Sequence, residues 1–274
     1  MADPVSLKER TGSLLRVYPR EEATLLIAGQ ALATWADLFR VPLPPALDSG
    51  VTRDLDYFAD GATARRHFEW LIAQGFDAKV FLPELGDATS NTAKIVVNNL
   101  PGFPKGLEID YMGCVAGFDD EHEERRLHSR SVVIELDDPP LRIAVMHPFD
   151  CLKSRIHNLD RFSSKRNERG VAQSQLAIMV LHTFLLQSCG SREQVRQVAL
   201  PVIERVIDLA LSRVGRYVYR EFGIDVLDCV PADAVGGNFQ SKRWPAAVRQ
   251  VARRRAGRRN GIAAANSKRV EVSG

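Results

Sequence analysis

The hydrophobic pattern turns lastingly helical near His147, and that change points to a layered fold with its strands first and most of its helices last. Before it, apolar residues alternate or run in short blocks rich in β-branched side chains. SVVIEL and LRIAVM, joined by Asp-Asp-Pro-Pro, predict a hairpin across residues 131–146. TAKIVVNNL (92–100), KGLEIDYMGCV (105–115) and DAKVFLPE (77–84) predict further strands, and GATARRHFEWLIAQ (61–74) predicts a helix. The charged run FDDEHEERRLHS reads as a loop or sheet edge. After His147 the spacing becomes helical. HPFDCLKSRIHNLDRF, VAQSQLAIMVLHTFLLQSC and the stretch from Arg192 to Phe222 predict three or four helices, with Pro148 tolerated in a first turn. The expected organisation is an α/β part over 1–146, a helical part over 147–225, and a basic, partly disordered tail over 226–274.

Charge is distributed unevenly. Residues 242–274 hold ten Lys/Arg and one Glu, whereas the other 241 residues hold 27 basic and 33 acidic side chains. A basic tail on an acidic body points to a polyanionic partner such as nucleic acid. No apolar run approaches the roughly 20 residues that span a bilayer, and MADPVSLKERTGS lacks the basic-then-apolar pattern of a signal peptide. The expected location is the cytoplasm, with no membrane partner. The four cysteines have no C-x-x-C pair and predict buried thiols rather than a zinc site or disulfides. No G-x-x-x-x-G-K-[ST] or G-x-S-x-G motif is present, which argues against a P-loop enzyme or a serine hydrolase of the elbow type.

The chemistry concentrates in three short segments. In VTRDLDYFAD (51–60), strand alternation turns Asp54 and Asp56 to one face and Leu55 and Tyr57 to the other. Paired carboxylates repel unless a cation lies between them, and Mg²⁺ takes such oxygen ligands together with substrate phosphates. In LLIAGQAL (25–32), a strand turning through Gly29 into a helix would offer backbone N–H groups to phosphate. In LEIDYM (107–112), Glu108 and Asp110 share a face and would supply a third carboxylate, as metal ligand or proton acceptor.

A glycine turn, then D-L-D, then a later strand acid resembles the nucleotidyltransferase superfamily, the group with the DNA polymerase beta-like fold. IAGQAL and TRDLDYF, followed by the lysine-bearing FDCLKSRIHNL, resemble more narrowly the AbiEii-type nucleotidyltransferases, often bacterial toxins or phage-defence proteins. The likeness covers roughly residues 20–190. It implies an α/β (α+β) nucleotidyltransferase-like mixed sheet with flanking helices, followed by a C-terminal helical bundle. It implies Mg²⁺ (or Mn²⁺) on Asp54, Asp56 and Asp110, and NTP phosphates at Gly29 and Gln30, with Thr52 and Arg53 lining the pocket. Lys153 would give positive charge to the triphosphate. The implied reaction moves a nucleotidyl group from an NTP to a hydroxyl acceptor, an RNA 3′ end or a protein; a toxin role would add an antitoxin partner. Gln30 replaces the second glycine of the usual turn, and Gly170 stands near the place of a further acid. These departures leave an alternative, a catalytically inactive protein of the same fold that binds nucleic acid or a protein partner.

Overall fold

The computed structural model describes residues 14–256, apart from residues 15, 20–23, 48–53, 85, 88, 138 and 139. Seven strands form one mixed sheet: β1 Leu25–Leu26, β2 Leu55–Phe58, β3 Ala78–Phe81, β4 Asn91–Val97, β5 Leu107–Met112, β6 Val132–Asp137 and β7 Pro140–Val145. Their spatial order is β3-β4-β5-β2-β1-β7-β6. β3, β4 and β5 pair antiparallel, β5 lies parallel to β2, and β1 is antiparallel to β2 but parallel to β7. β6 and β7 form the predicted hairpin.

Alternation decides which side of each central strand is dry. Leu55 and Tyr57 on β2, with Leu107, Ile109 and Tyr111 on β5, are buried, while Asp56, Glu108 and Asp110 take the other face. The dry face carries Tyr57 against Tyr111, with ring centroids 5.6 Å apart. It also carries a buried histidine. His67, in the helix that follows β2, joins the Tyr111 hydroxyl and, at 2.9 Å, the Val17 carbonyl. Both ring nitrogens are thus committed to structure.

The first two helices are α1 Ala28–Leu38 and α2 Gly61–Ala73, the latter capped by Asp60, whose carboxylate accepts from the Thr63 N–H at 2.7 Å. The charged run read as a loop or edge is instead a helix, α3 Glu121–Arg130. Two features explain it: Asp120 caps it by accepting from the Glu123 N–H, and Arg126 pairs with Glu123 one turn away. The helix has almost no apolar stripe, so hydrophobic periodicity gave no signal for it.

The helical part contains α4 Pro148–Arg161, α5 Glu168–Gln187, α6 Leu200–Leu211 and α7 Arg213–Phe222. α4 and α5 pack along each other, and α1 packs on both. The stretch expected to be a tail begins with ordered helix: after short turns from Val226, helix α8 runs over Trp244–Ala256 and packs on α6. Among the described residues no helix is long and apolar enough to cross a membrane. The cysteines are free, but Cys114 is exposed and Cys189 only half-buried; Cys151 and Cys229 alone match the expected burial.

One ion cluster ties the sequence-distant helices together. Asp150, fully buried in the first turn of α4, accepts from Arg130 at 3.0 and 3.2 Å and from Arg205 at 2.6 Å. Removing one member of such a cluster strands the others, at a cost of about 3 kcal/mol or more. Asp150→Ala is expected to lower the urea midpoint accordingly. Arg130→Gln leaves Asp150 with Arg205 and is expected to cost less; equal midpoints for wild type and Asp150→Ala would show that the cluster contributes nothing.

Candidate active site

Asp56 and Asp110 occupy adjacent parallel strands at the same level, as direct partners in the β2–β5 register. Their side chains leave the sheet on the same face, about one strand spacing apart. Asp54 stands in the bend immediately before β2, and its charge acts on both of the others. The three predicted carboxylates therefore share one electrostatic neighbourhood.

β1 fixes the start of α1 against this group. The Ile27 N–H donates to the Asp56 carbonyl at 2.9 Å, and α1 begins at the next residue. The helix N-terminus, which has no side-chain cap, thus opens one strand away from Asp56. Its unsatisfied N–H groups and positive dipole end suit an anion. The sharp turn falls one residue earlier than the glycine suggests: the left-handed residue is Ala28, at φ 56°, and Gly29 is already helical and buried. A Cβ in that conformation costs about 1–2 kcal/mol. The Gln30 side chain is bonded to the Tyr18 hydroxyl, which Thr34 also reaches. Thr52 and Arg53 lie outside the described residues.

Burial pushes the Asp56 carboxyl up to about 6, with Asp110 and Asp54 adding to the rise and Arg155 and Lys165 opposing it. Asp110 is also raised, again first by burial, while Lys94 pulls it down. Asp110 accepts from the Asn91 amide at 2.9 Å and lies 3.6 Å from the Lys94 ammonium, which pairs more closely with Glu108 at 2.7 Å. A raised carboxyl marks negative charge that the site holds at a cost, and an arriving cation relieves it. The donors are hard oxygens, the kind Mg²⁺ binds through one or two carboxylates with substrate phosphates completing the shell. Among the described residues, no group of three His, Cys, Asp or Glu side chains is gathered closely enough to hold a metal by itself. The protein donors fit that ion as a partial shell, not as a closed cage.

Lys153 is not part of this group. Its ammonium pairs with Glu123 at 2.9 Å and lies 4.3 Å from the centre of the Phe118 ring. The positive charges that act on Asp56 are Arg155, two residues further along α4, and Lys165. Arg155 is buried and donates to the Gln173 side-chain oxygen at 3.1 Å, while its Nε has no partner. Sequence reading missed it because an arginine inside an amphipathic helix looks like any surface residue. The signal was weak but present: the face of FDCLKSRIHNL that carries Cys151, Leu152 and Ile156 also carries Arg155, an unpaired charge at an apolar position.

The glycine found near an expected acid also has a structural cause. A Cβ on Gly170 would meet the Lys165 carbonyl oxygen at 1.9 Å. Asn167 caps α5 by accepting from the Gly170 N–H at 2.9 Å, and Arg166 clamps the turn to the end of α4 through the Leu159 and Asp160 carbonyls. Gly170 therefore permits the tight turn Ser163–Lys165 that brings Lys165 toward Asp56.

No family model matches the chain, and no curated protein matches it. A solved structure is similar to it. That structure is the crystal structure of the Megavirus polyadenylate synthase, at 13% identity and a TM-score of 0.39, over 78% of this chain and 43% of that one. The chain spans less than half the length of that protein.

The Asp56 carboxyl gives the site a pH signature. Its folded-state value lies above the ordinary one, so the folded protein holds the proton more tightly than the unfolded chain. That penalty is absent below about pH 4, grows as pH rises through about 6, and then levels off. A rise of this size is worth about 3 kcal/mol at neutral pH. Asp56→Asn is expected to stabilise the fold by an amount of that order at pH 7.5 and by little at pH 4, in urea titrations of both proteins. A gain that is equal at the two pH values would remove the ionic explanation.

Proposed function

We propose that the chain is a Mg²⁺-dependent nucleotidyltransferase with a nucleotidyltransferase-like fold, acting on an NTP and a hydroxyl acceptor. The observation that carries this reading is the level pairing of Asp56 with Asp110 beside the uncapped start of α1. Acids that can share a cation next to a phosphate-favouring helix end suit transfer of a charged phosphoryl group, where positioning and charge neutralisation supply most of the acceleration.

Mg²⁺ (or Mn²⁺), held by Asp54, Asp56 and Asp110, would neutralise and orient the triphosphate. The α1 N-terminus, around Ala28 and Gly29, would offer N–H donors to the phosphate chain. Asp110 either completes that ligand set or accepts the proton of the acceptor hydroxyl. The acceptor oxygen bonds to the α-phosphorus as the bond to the leaving pyrophosphate breaks. Arg155 and Lys165 offset negative charge at Asp56, whereas the resemblance gave Lys153 a positive charge toward the triphosphate. A toxin-like role with an antitoxin partner rests on the resemblance alone.

The contrary reading, a non-catalytic protein of this fold, is favoured by one observation: Lys94 already sets an ammonium against Glu108 and Asp110. Label transfer separates the two. The full chain is incubated with each α-labelled NTP, Mg²⁺ and total cellular RNA, beside Asp56→Asn and Asp110→Asn. Labelled RNA or protein is expected with the wild type, with a fall of at least about a thousandfold in either variant and unchanged circular dichroism. Absence of NTP binding by the wild type would overturn the enzyme reading.

A further inference from the structure

Helix α8 has two unlike sides. One side docks on the protein: Val251 is buried, Trp244 stacks on Phe239 at 6.0 Å, and Arg255 makes two bonds to Asp225, at 2.6 and 2.7 Å, while lying 3.7 Å from the centre of the Tyr219 ring. Just before the helix, Arg243 pairs with Glu204 at 2.8 Å. The other side is an open groove lined by Ala246, Arg249, Gln250, Arg253 and Arg254. Those positions recur every three or four residues, so they form one stripe along the helix. Arg249, Arg253 and Arg254 are exposed and have no ion pair among the described residues, and the helix contains no acidic residue.

We propose that this arginine stripe binds the backbone of single-stranded RNA. Three observations favour a phosphate backbone as the occupant. The body of the chain is acidic, so a bare cationic stripe is not a sample of its average surface. The arginine forks match phosphate oxygens in pairs. A helix that binds a membrane surface needs a free apolar face, and here Val251 and Trp244 are spent on the protein, with only Val248 among the large apolar side chains left exposed. The docked side also holds the helix in one place, so the arginines are presented in a fixed row. The sequence beyond the described residues continues the charge, with Arg258, Arg259, Lys268 and Arg269 against Glu271. Binding does not depend on catalysis; that the bound RNA is also the acceptor rests on the reaction proposed above.

The test is fluorescence polarisation of a labelled 30-nucleotide RNA with the full chain, from 50 to 300 mM salt. Two variants are compared with the wild type: a triple Arg249→Gln/Arg253→Gln/Arg254→Gln and the corresponding triple lysine replacement. Removing three phosphate contacts is expected to reduce the salt slope by about 2 and to weaken binding at least about tenfold. The lysine triple is expected to keep the slope. An unchanged slope in the glutamine triple would overturn the proposal. So would binding to phosphatidylserine vesicles or polyglutamate, with the same arginine dependence but without RNA binding. Arginine-dependent RNA binding in a chain that transfers no nucleotide would uphold the surface and sink the catalytic reading alone.

Discussion

Everything at the site follows from the burial of one side of two neighbouring strands. Leu55, Tyr57, Ile109 and Tyr111 are withdrawn from water, and each such side chain is worth roughly 1.5–3 kcal/mol when buried. A slip of one residue would carry the whole apolar set to the wrong face. With the register so fixed, Asp56 and Asp110 have no freedom to separate, because they occupy the alternate positions. Hydrophobic burial on one face thus forces two carboxylates into proximity on the other. Burial is the first cause of the raised Asp56 and Asp110 carboxyls, and on Asp56 the charge of Asp110 adds to it.

The helices then determine what company the acids keep. α1 starts beside Asp56 because β1 ends there, tied by the Ile27 N–H. α4 brings Arg155, held at one end by Gln173, and the turn before α5 brings Lys165. Asp150, with Arg130 and Arg205, locks α4 to α3 and α6, so the helix that positions Arg155 is itself fixed. The cations near Asp56 offset only part of its burial, which leaves the site receptive to further positive charge.

Much of this was legible in the sequence, for definite reasons. Period-2 alternation located β2, β5 and the β6–β7 hairpin, and from it the shared face of Asp56 with its neighbour acids followed directly. Pairing between distant strands has no local signature, so the level match of Asp56 with Asp110 was visible only in the sheet. Helix α3 escaped because its capping and charge pairs, not an apolar stripe, stabilise it. The turn was drawn to Gly29 because glycine tolerates left-handed backbone, yet Ala28 adopts it. Lys153 was taken from the resemblance, which places a lysine on this helix, whereas the charge on α4 that acts on Asp56 is the buried Arg155. The basic end of the chain read as tail because charge hides a helix anchored by one valine and two aromatics.

The bond from Ile27 to Asp56 uses the aspartate's main-chain carbonyl and leaves its carboxylate out of the scaffold. Architecture and reactivity are thereby held by different atoms of the same residue. A lineage of such chains can discard the acid without disturbing the sheet or the start of α1, and in doing so it sheds an electrostatic burden. Loss of the acid with the shape kept is therefore downhill in folding energy, and only a use for the carboxylate itself opposes it.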